Sequence, residues 1–401
     1  MKILILNAGS SSLKYSLFGL QSTCLLCHGL IERIGGDASH EYAAPDGVKQ
    51  TLAIAAADHQ QALSVVFQLL ARLELLTDIK SLAGVGHRVV HGGERFNRPT
   101  LITESVLQQI DAACPLAPLH NPANLLGIRE AMRQLPGIAQ VAVFDTAYHQ
   151  TLPDYAYRYA LPGELYRDHA VRRYGFHGVS HFYVAKQAAA FLGKPLTECN
   201  FITLHLGNGA SVAAIAGGKS VDTSMGLTPL EGLVMGSRSG DLDPAIPFYL
   251  HRALGLDYPA IEELLNKNSG CKGLCGDNDL RNIHARANVG DADACLTLEI
   301  YAYRIKKYIG AYFAVLNHVD GIVFTGGVGE NDAWVRAQSC AGLSALGIGI
   351  DAKTNAKPAR PIGQISPPGA PTAVLVVATD EELEIALQTQ ACLEALDQAG
   401  V

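Results

Sequence analysis

The sequence predicts an α/β protein made of two related domains facing each other across a cleft, and three observations carry that prediction. Residues 2–18, KILILNAGSSSLKYSLF, run from a short apolar strand through a small hydroxyl-rich turn into a second, alternating strand. Residues 201–214, FITLHLGNGASVAA, repeat that plan about half the chain later. Each half then holds a further buried-strand run ending in polar turn residues, VAVFDT at 141–146 and IVFTGG at 322–327. Repetition of this kind reads as domain duplication, and clefts between domains are common ligand sites. At 401 residues the chain is also too long for one ordinary core.

Composition narrows the function. Hydrophobic residues make up 48% of the chain and charged residues 17%, with 40 glycines, a globular and loop-rich balance. The formal net charge of −7 carries no basic footprint, so no nucleic-acid partner is expected. No run of 18 uncharged apolar residues predicts a membrane span. Lys2 leads directly into a strand with no signal-peptide core, which predicts a cytoplasmic protein. The nine scattered cysteines fit a reducing compartment. Cys24-Leu-Leu-Cys27-His28 matches a haem-attachment spacing but reads as a strand, and Cys271 and Cys275 form only half a zinc site.

In chain order, residues 1–34 read as three strands joined by short turns, 55–76 as a helix, 82–90 as a strand and 105–113 as a short helix. APLHNP at 117–122 is a rigid, Pro-flanked loop before a helix at 124–135, and 137–144 is a strand ending at Asp145. Residues 151–173, rich in Tyr and Pro, read as a connection over the cleft. YGFHGVSH at 174–181 is a glycine-rich loop before a helix from about 181 to 192. The glycine-rich segment 225–244 is long and irregular, and such loops are costly to order unless they serve a function. Residues 291–318 are the longest helix candidate, 321–325 a strand, and GGVGEN at 326–331 a turn leading into a helix from Asp332. The last strand, 374–378, runs into Thr379-Asp380-Glu381-Glu382, which caps a terminal helix.

Several residues carry chemistry. The tip of the first hairpin offers open N–H groups and hydroxyls, Gly9 permits close approach, and Lys14 supplies a point charge, which together suit a phosphate. Arg88 in HRVVHGG and Arg238 in GSRSGD lie among glycines, where a guanidinium can clamp an oxyanion or a phosphoryl group. An arginine at a strand end is otherwise an ordinary ion-pair partner. His120 and His177 are loop histidines flanked by Pro or Gly, placed to donate to developing charge, while His205 inside its strand reads as structural or hairpin-facing. Asp145 and Glu381 are strand-end carboxylates of the kind that point into a ligand crevice and hold Mg²⁺. Glu381 fits a helix first-turn acid equally well. GGVGEN offers helix N–H groups to an anion. The run Gly217-Gly218-Lys219-Ser220 has Ala213 where a P-loop needs its first glycine, so that motif fails.

Taken together, NAGSSSLKY, GHRVVHGG, APLHNP, VFDTAYH, YGFHGVSH, HLGNGAS, MGLTPLEGLVMGSRSGDLDP, DLRNI, FTGGVGEN and TDEE resemble, in order and over nearly the whole chain, the acetokinase family of short-chain acyl kinases. The resemblance implies two duplicated ribonuclease-H-like domains of the acetate and sugar kinase/Hsp70/actin superfamily around a central cleft. It divides the chain into 1–147 plus 383–401 as the N-terminal domain and 148–382 as the nucleotide-binding domain. It implies reversible phosphoryl transfer between ATP and acetate, giving acetyl phosphate and ADP, with Mg²⁺, in a homodimer. By similarity Arg88 and Arg238 hold the carboxylate and the transferring group, His177 stabilises the transition state, and His120 is a second active-site histidine. Asp145 and Glu381 are the catalytic and metal-site acids, Asn7 joins Glu381 at the metal, and Lys14 binds substrate or phosphate. His205, Leu206, Gly207, Asn208 and Gly209, with Asp279, Leu280 and Arg281 and with Gly327, Val328, Gly329, Glu330 and Asn331, match nucleotide contacts. Val90, Leu119, Phe176 and Pro229 match the wall around the acyl methyl group. The family commonly reads TNEE where this chain has Thr379-Asp380-Glu381-Glu382, adding a negative charge beside the implied metal.

The chemistry fits those parts. Phosphoryl transfer through a loose transition state needs positioning and charge more than covalent catalysis. A carboxylate acceptor is already nucleophilic, so Asp145 reads as positioning metal or water rather than as a base. Propionate kinase is the alternative within the family, because one methylene is worth only ~1–3 kcal/mol in an apolar pocket. A non-catalytic actin-like ATP-binding protein is disfavoured by the presence of both arginines, both acids and His177. A sugar kinase is disfavoured by the apolar wall.

Overall fold

The computed structural model describes residues 1–20 and 24–399. They form two compact units, Met1–Ala147 with Asp380–Val401, and Tyr148–Thr379.

The first unit is built on one sheet. Its strands are β1 (Lys2–Ala8), β2 (Ser12–Gly19), β3 (Cys24–Glu32), β4 (Ser39–Ala43), β5 (Lys49–Ala53), β6 (Leu82–Val89), β7 (Thr100–Leu101) and β8 (Gln140–Phe144), in the order β5-β4-β3-β2-β1-β6-β8-β7. β6 runs parallel to both β1 and β8, and the remaining neighbours are antiparallel. Ile3, Leu4, Ile5 and Leu6 are all buried, as a strand covered on both faces requires. β4 and β5 extend the meander beyond the three strands that the sequence suggested; β5 is an exposed edge strand without an apolar run to announce it. Helix His59–Arg72 begins four residues inside the expected span because the Asp58 side chain accepts from Gln61 N and caps it. Its Ala62, Leu63, Val66 and Leu70 pack with Leu4, Leu6, Tyr15 and Leu17.

Helix Glu381–Ala399 lies close against β6, and glycine permits it. Gly84, Gly86 and Arg88 share one face of the strand by the period-2 rule. A Cβ on Gly84 would lie 2.7 Å from Leu393 Cδ1, and one on Gly86 would lie 2.3 Å from Thr389 Oγ1 and 3.1 Å from Ile385 Cγ2. Leu393, Thr389, Ile385 and Glu381 recur every four residues along one helix ridge. The ridge therefore tracks the strand and ends with Glu381 beside Arg88.

The second unit repeats this plan with β9 (Asn200–Leu206), β10 (Ala210–Ala216), β11 (Lys219–Thr223), β12 (Gly321–Thr325), β13 (Ile362–Gln364) and β14 (Ala373–Val377), ordered β11-β10-β9-β12-β14-β13. β9, β10 and β11 form an antiparallel meander, β12 is parallel to β9 and to β14, and β13 is an antiparallel edge. This matches β1, β2, β3, β6, β8 and β7 strand for strand. It also corrects one equivalence: VAVFDT occupies the place of β14 and IVFTGG the place of β6, so those two runs are not counterparts. Apolar runs ending in polar turns are alike in composition, and only sheet order tells them apart.

Three further expectations shift. GGVGEN is itself a short helix, Gly326–Asn331, entered by a left-handed Gly326 at φ +77°, and Asp332 then caps a second helix, Ala333–Cys340. The helix expected from residue 181 starts at Gly178, directly after His177 in left-handed conformation at φ 56°. Residues 151–173 contain helices Asp154–Tyr157 and Gly163–His169, too short to show a period. The longest helix, Ala292–Leu316, is capped by Asp291 as its sequence suggests.

The close approach of helix and strand makes a test. Gly86→Ala should cost about 1–3 kcal/mol of stability through overpacking, read as a lower midpoint in thermal or denaturant unfolding. Pairing it with Thr389→Ala, which removes the nearest atom, should recover part of the loss; an unchanged midpoint for the single variant would disprove the packing account.

Candidate active site

In the first unit the site grows from three strand ends. Asn7 and Lys14 sit directly opposite each other across the β1–β2 hairpin, whose tip is closed by Gly9 N donating to Ser12 O at 2.9 Å. Lys14 pairs with Glu382, the residue after Glu381. Arg88, at the end of β6, donates through Nε to Asp145 Oδ1 at 3.0 Å and through Nη2 to Oδ2 at 2.5 Å. This fork–fork geometry is the strong form of the arginine–carboxylate pair. Glu381 Oε2 stands 3.9 Å from Arg88 Nε. Burial alone would lower the Arg88 pKa, but Asp145, Glu381 and Glu382 outweigh it and raise it. Burial pushes the Glu381 carboxyl up, and Arg88 only partly offsets that.

Asp380 accepts from Leu383 N at 2.9 Å and is the N-cap of the terminal helix. Asn and Asp cap helices about equally well, so the departure from TNEE keeps the cap and adds charge, and burial raises the Asp380 pKa. His120 is exposed and precedes helix Asn121–Gln134. Two asparagines of that helix, not singled out in the sequence, fix the segment after Arg88: Asn124 Oδ1 accepts from Val90 N at 3.1 Å, and Asn121 Oδ1 accepts from His91 N at 3.0 Å. Asn124 Nδ2 also donates to Ala8 O at 2.8 Å, tying the first hairpin to the same helix. Val90 is buried and Leu119 is 64% exposed.

In the second unit the β9–β10 hairpin is the centre. A Cβ on Gly209 would lie 3.4 Å from Arg238 Nη1 and 3.6 and 3.7 Å from His177 Cε1 and Nε2, so both groups flank one point above the hairpin tip. His177 stacks on His205 with ring centroids 4.3 Å apart. Arg238 donates to Pro229 O at 3.1 Å, and among the described residues no carboxylate pairs with it; burial lowers its pKa. Its loop, 225–244, is ordered by side chains that no motif marks. Arg173 donates through Nη1 to Thr223 O, Ser224 O and Met225 O and through Nη2 to Glu231 at 2.6 Å. Tyr159 OH holds Glu231 at 2.6 Å, and Tyr308 OH donates to Asp241 at 2.8 Å. Phe176 is buried and Pro229 half-buried.

The remaining sequence candidates gather around this hairpin to different degrees. Asn208 O accepts from Gly236 N at 3.0 Å, and Asn208 Oδ1 accepts from Asn278 Nδ2 at 3.4 Å, which brings Asp279 to the same side. Asp279 caps helix Leu280–Ala287 and pairs with Arg281 at 2.6 Å. The Leu206 and Leu280 side chains are buried, so these two residues offer only backbone. A Cβ on Gly326 would meet Leu206 O at 2.7 Å, whereas Gly327 has open space around it. Glu330 and Asn331 are bound by Arg360, at 2.5 Å and 2.8 Å, and Glu330 Oε1 accepts from Thr379 N at 3.2 Å. Arg360, far away in sequence, carries no motif signal.

By chemistry alone, the Glu381 carboxylate and the neutral Asn7 side-chain oxygen are donor types that suit Mg²⁺, which uses one or two protein carboxylates and keeps several waters. Gly327 leaves backbone open to a phosphate chain.

The chain matches the acetokinase family over residues 2–387. It is 53% identical to an acetate kinase of Streptomyces avermitilis over 392 residues, 97% of each chain. It is 50% identical to an acetate kinase of Helicobacter pylori, over 99% of this chain and 100% of that one. The crystal structure of Porphyromonas gingivalis acetate kinase superposes with a TM-score of 0.94 at 44% identity, covering 98% of this chain and 99% of that one. A propionate kinase from Francisella tularensis superposes with a TM-score of 0.92 at 42% identity, covering 97% and 99%.

Glu381→Ala should raise the Mg²⁺ concentration needed for half-maximal rate, measured by titrating Mg²⁺ at fixed nucleotide. An unchanged Mg²⁺ dependence in a folded variant would leave Glu381 as a helix first-turn acid only.

Proposed function

The chain belongs to the acetokinase family and is a kinase that phosphorylates a carboxyl group, and from that premise we propose the finer reading. Its reaction is reversible phosphoryl transfer between ATP and acetate, giving acetyl phosphate and ADP, with Mg²⁺. The observation that carries this reading is the approach of the His177 imidazole and Arg238 Nη1 to one point over Gly209. A proton donor and a cation converging there suit the charge on the oxygens of a transferring phosphoryl group.

In this reading Arg238 and His177 bind the transferring group, and Arg88, its Nε–Nη2 edge held by Asp145, presents its remaining Nη1 side to the acetate carboxylate. His120 contributes a further donor. Glu381 and Asn7 would hold Mg²⁺, which neutralises phosphate charge when bound. Lys14, held by Glu382, faces phosphate. The backbone of 205–209 and 327–331, with Asp279, Leu280 and Arg281, receives ATP or ADP. Because acetate is nucleophilic as its anion, Asp145 acts by orienting Arg88 and not by taking a proton. Val90, Leu119, Phe176 and Pro229 limit the acyl group, and propionate is the alternative acceptor. Met1–Ala147 with Asp380–Val401 serve as the N-terminal acetokinase domain and Tyr148–Thr379 as the nucleotide-binding domain, the second boundary falling at 380 rather than the expected 383 because helix Glu381–Ala399 belongs whole to the first unit. The protein works in the cytoplasm as a homodimer.

Arg238→Ala should lower kcat by roughly 10³-fold or more, as for arginines that stabilise phosphoryl transfer elsewhere; near wild-type kcat in a folded variant would refute the assignment. Val90→Ala should raise kcat/KM for propionate relative to acetate by about tenfold, since a buried methylene is worth ~0.8 kcal/mol before packing. If that ratio stays put in a folded and active enzyme, Val90 does not line the acyl pocket.

A further inference from the structure

Behind His177 a row of buried polar side chains runs into the core of the second unit. His177 and His181 are one helical turn apart, and both reach Ser211 on β10: His177 Nδ1 lies 2.9 Å from Ser211 Oγ, and His181 Nε2 lies 2.8 Å from it. The other nitrogen of His181, Nδ1, lies 2.7 Å from Thr203 Oγ1 on β9. Thr203, Ser211 and His181 are fully buried.

The direction of these hydrogen bonds follows from Thr203. Its hydroxyl proton must go to an acceptor, and among the described residues its only side-chain partner is His181 Nδ1. Were His181 to donate from Nδ1, the Thr203 proton would be buried without an acceptor, which carries the full desolvation penalty of the hydroxyl. Thr203 therefore donates to Nδ1. Burial, with His149 and His205 nearby, holds His181 neutral, so its one proton sits on Nε2 and is donated to Ser211 Oγ. The Ser211 hydroxyl has one proton left to place and one partner left to receive it, Nδ1 of His177. His177 then carries its own proton on Nε2, which lies with Arg238 Nη1 near the point above Gly209.

We propose that Thr203, His181 and Ser211 form a one-way hydrogen-bond chain that fixes neutral His177 in the Nε2–H tautomer, as positioning residues for its donor. The donor is thus set toward an incoming phosphoryl group without a net charge on the ring, which spares repulsion with Arg238. The kinetic part rests on the role proposed above for His177; the tautomer itself does not.

The test uses the full-length enzyme with ¹⁵N-labelled histidine. Long-range ¹H–¹⁵N spectra of the neutral ring, assigned by comparison with His177→Asn, should show the His177 proton on Nε2. A proton on Nδ1 in the wild type overturns the proposal without any variant. Thr203→Val keeps the side-chain shape and removes the hydroxyl, whereas Thr203→Ser keeps the hydroxyl and loses a methyl group. Thr203→Val should mix the His177 tautomers and lower kcat about tenfold or more, with KM for ATP and acetate within about threefold, in line with the size of general acid–base contributions. Thr203→Ser should restore the tautomer and most of kcat. A purely packing role predicts the reverse order, so a Thr203→Val enzyme that outperforms Thr203→Ser also overturns the chain. If His177→Asn retains wild-type activity, the functional reading of His177 fails while the spectra still decide the tautomer.

Discussion

The candidate residues of the first unit depend on the close contact between helix Glu381–Ala399 and β6. Two glycines with no room for a Cβ, Gly84 and Gly86, let the helix ridge settle against the strand. The last member of that ridge, Glu381, thereby arrives beside Arg88, whose fork is taken by Asp145 from the next parallel strand. A methyl group at either glycine would push the helix away and separate a carboxylate from a guanidinium that offsets part of its burial. Packing and electrostatics are thus one constraint: the same contact that buries Ile385 raises the Glu381 pKa and creates a demand for positive charge.

The second unit meets the opposite difficulty. Arg238 lies in a long irregular loop, which would lose much conformational entropy on ordering. Arg173 meets this by spending one guanidinium nitrogen on three successive carbonyls, Thr223, Ser224 and Met225. Glu231 and Asp241 then anchor the loop to Tyr159 and Tyr308. These bonds satisfy backbone groups that a loop otherwise leaves to water. The aim of Arg238 at the hairpin tip is a product of that scaffold, as the orientation of His177 is a product of its left-handed cap position and of Ser211.

The sequence by itself determined the fold class, because apolar runs, turn residues and caps are local signals. The two hairpins, the longest helix and the Asp-capped terminal helix all appear where periodicity places them, since each is stabilised by contacts within one stretch of chain. It also marked the residues with unusual chemistry, Arg88, Asp145, His177 and Arg238, because glycine-flanked charge and strand-end acids are visible in one dimension. The tertiary structure alone decided which strand corresponds to which, because VAVFDT and IVFTGG are alike in composition and differ only in their neighbours in the sheet. It alone decided the supporting residues as well. Asn121, Asn124, Arg173, Arg360, Thr203 and Ser211 act through partners up to 116 residues away, as between Asn124 and Ala8. A hydrogen bond of that span leaves no periodic or compositional trace, so only the folded chain shows it.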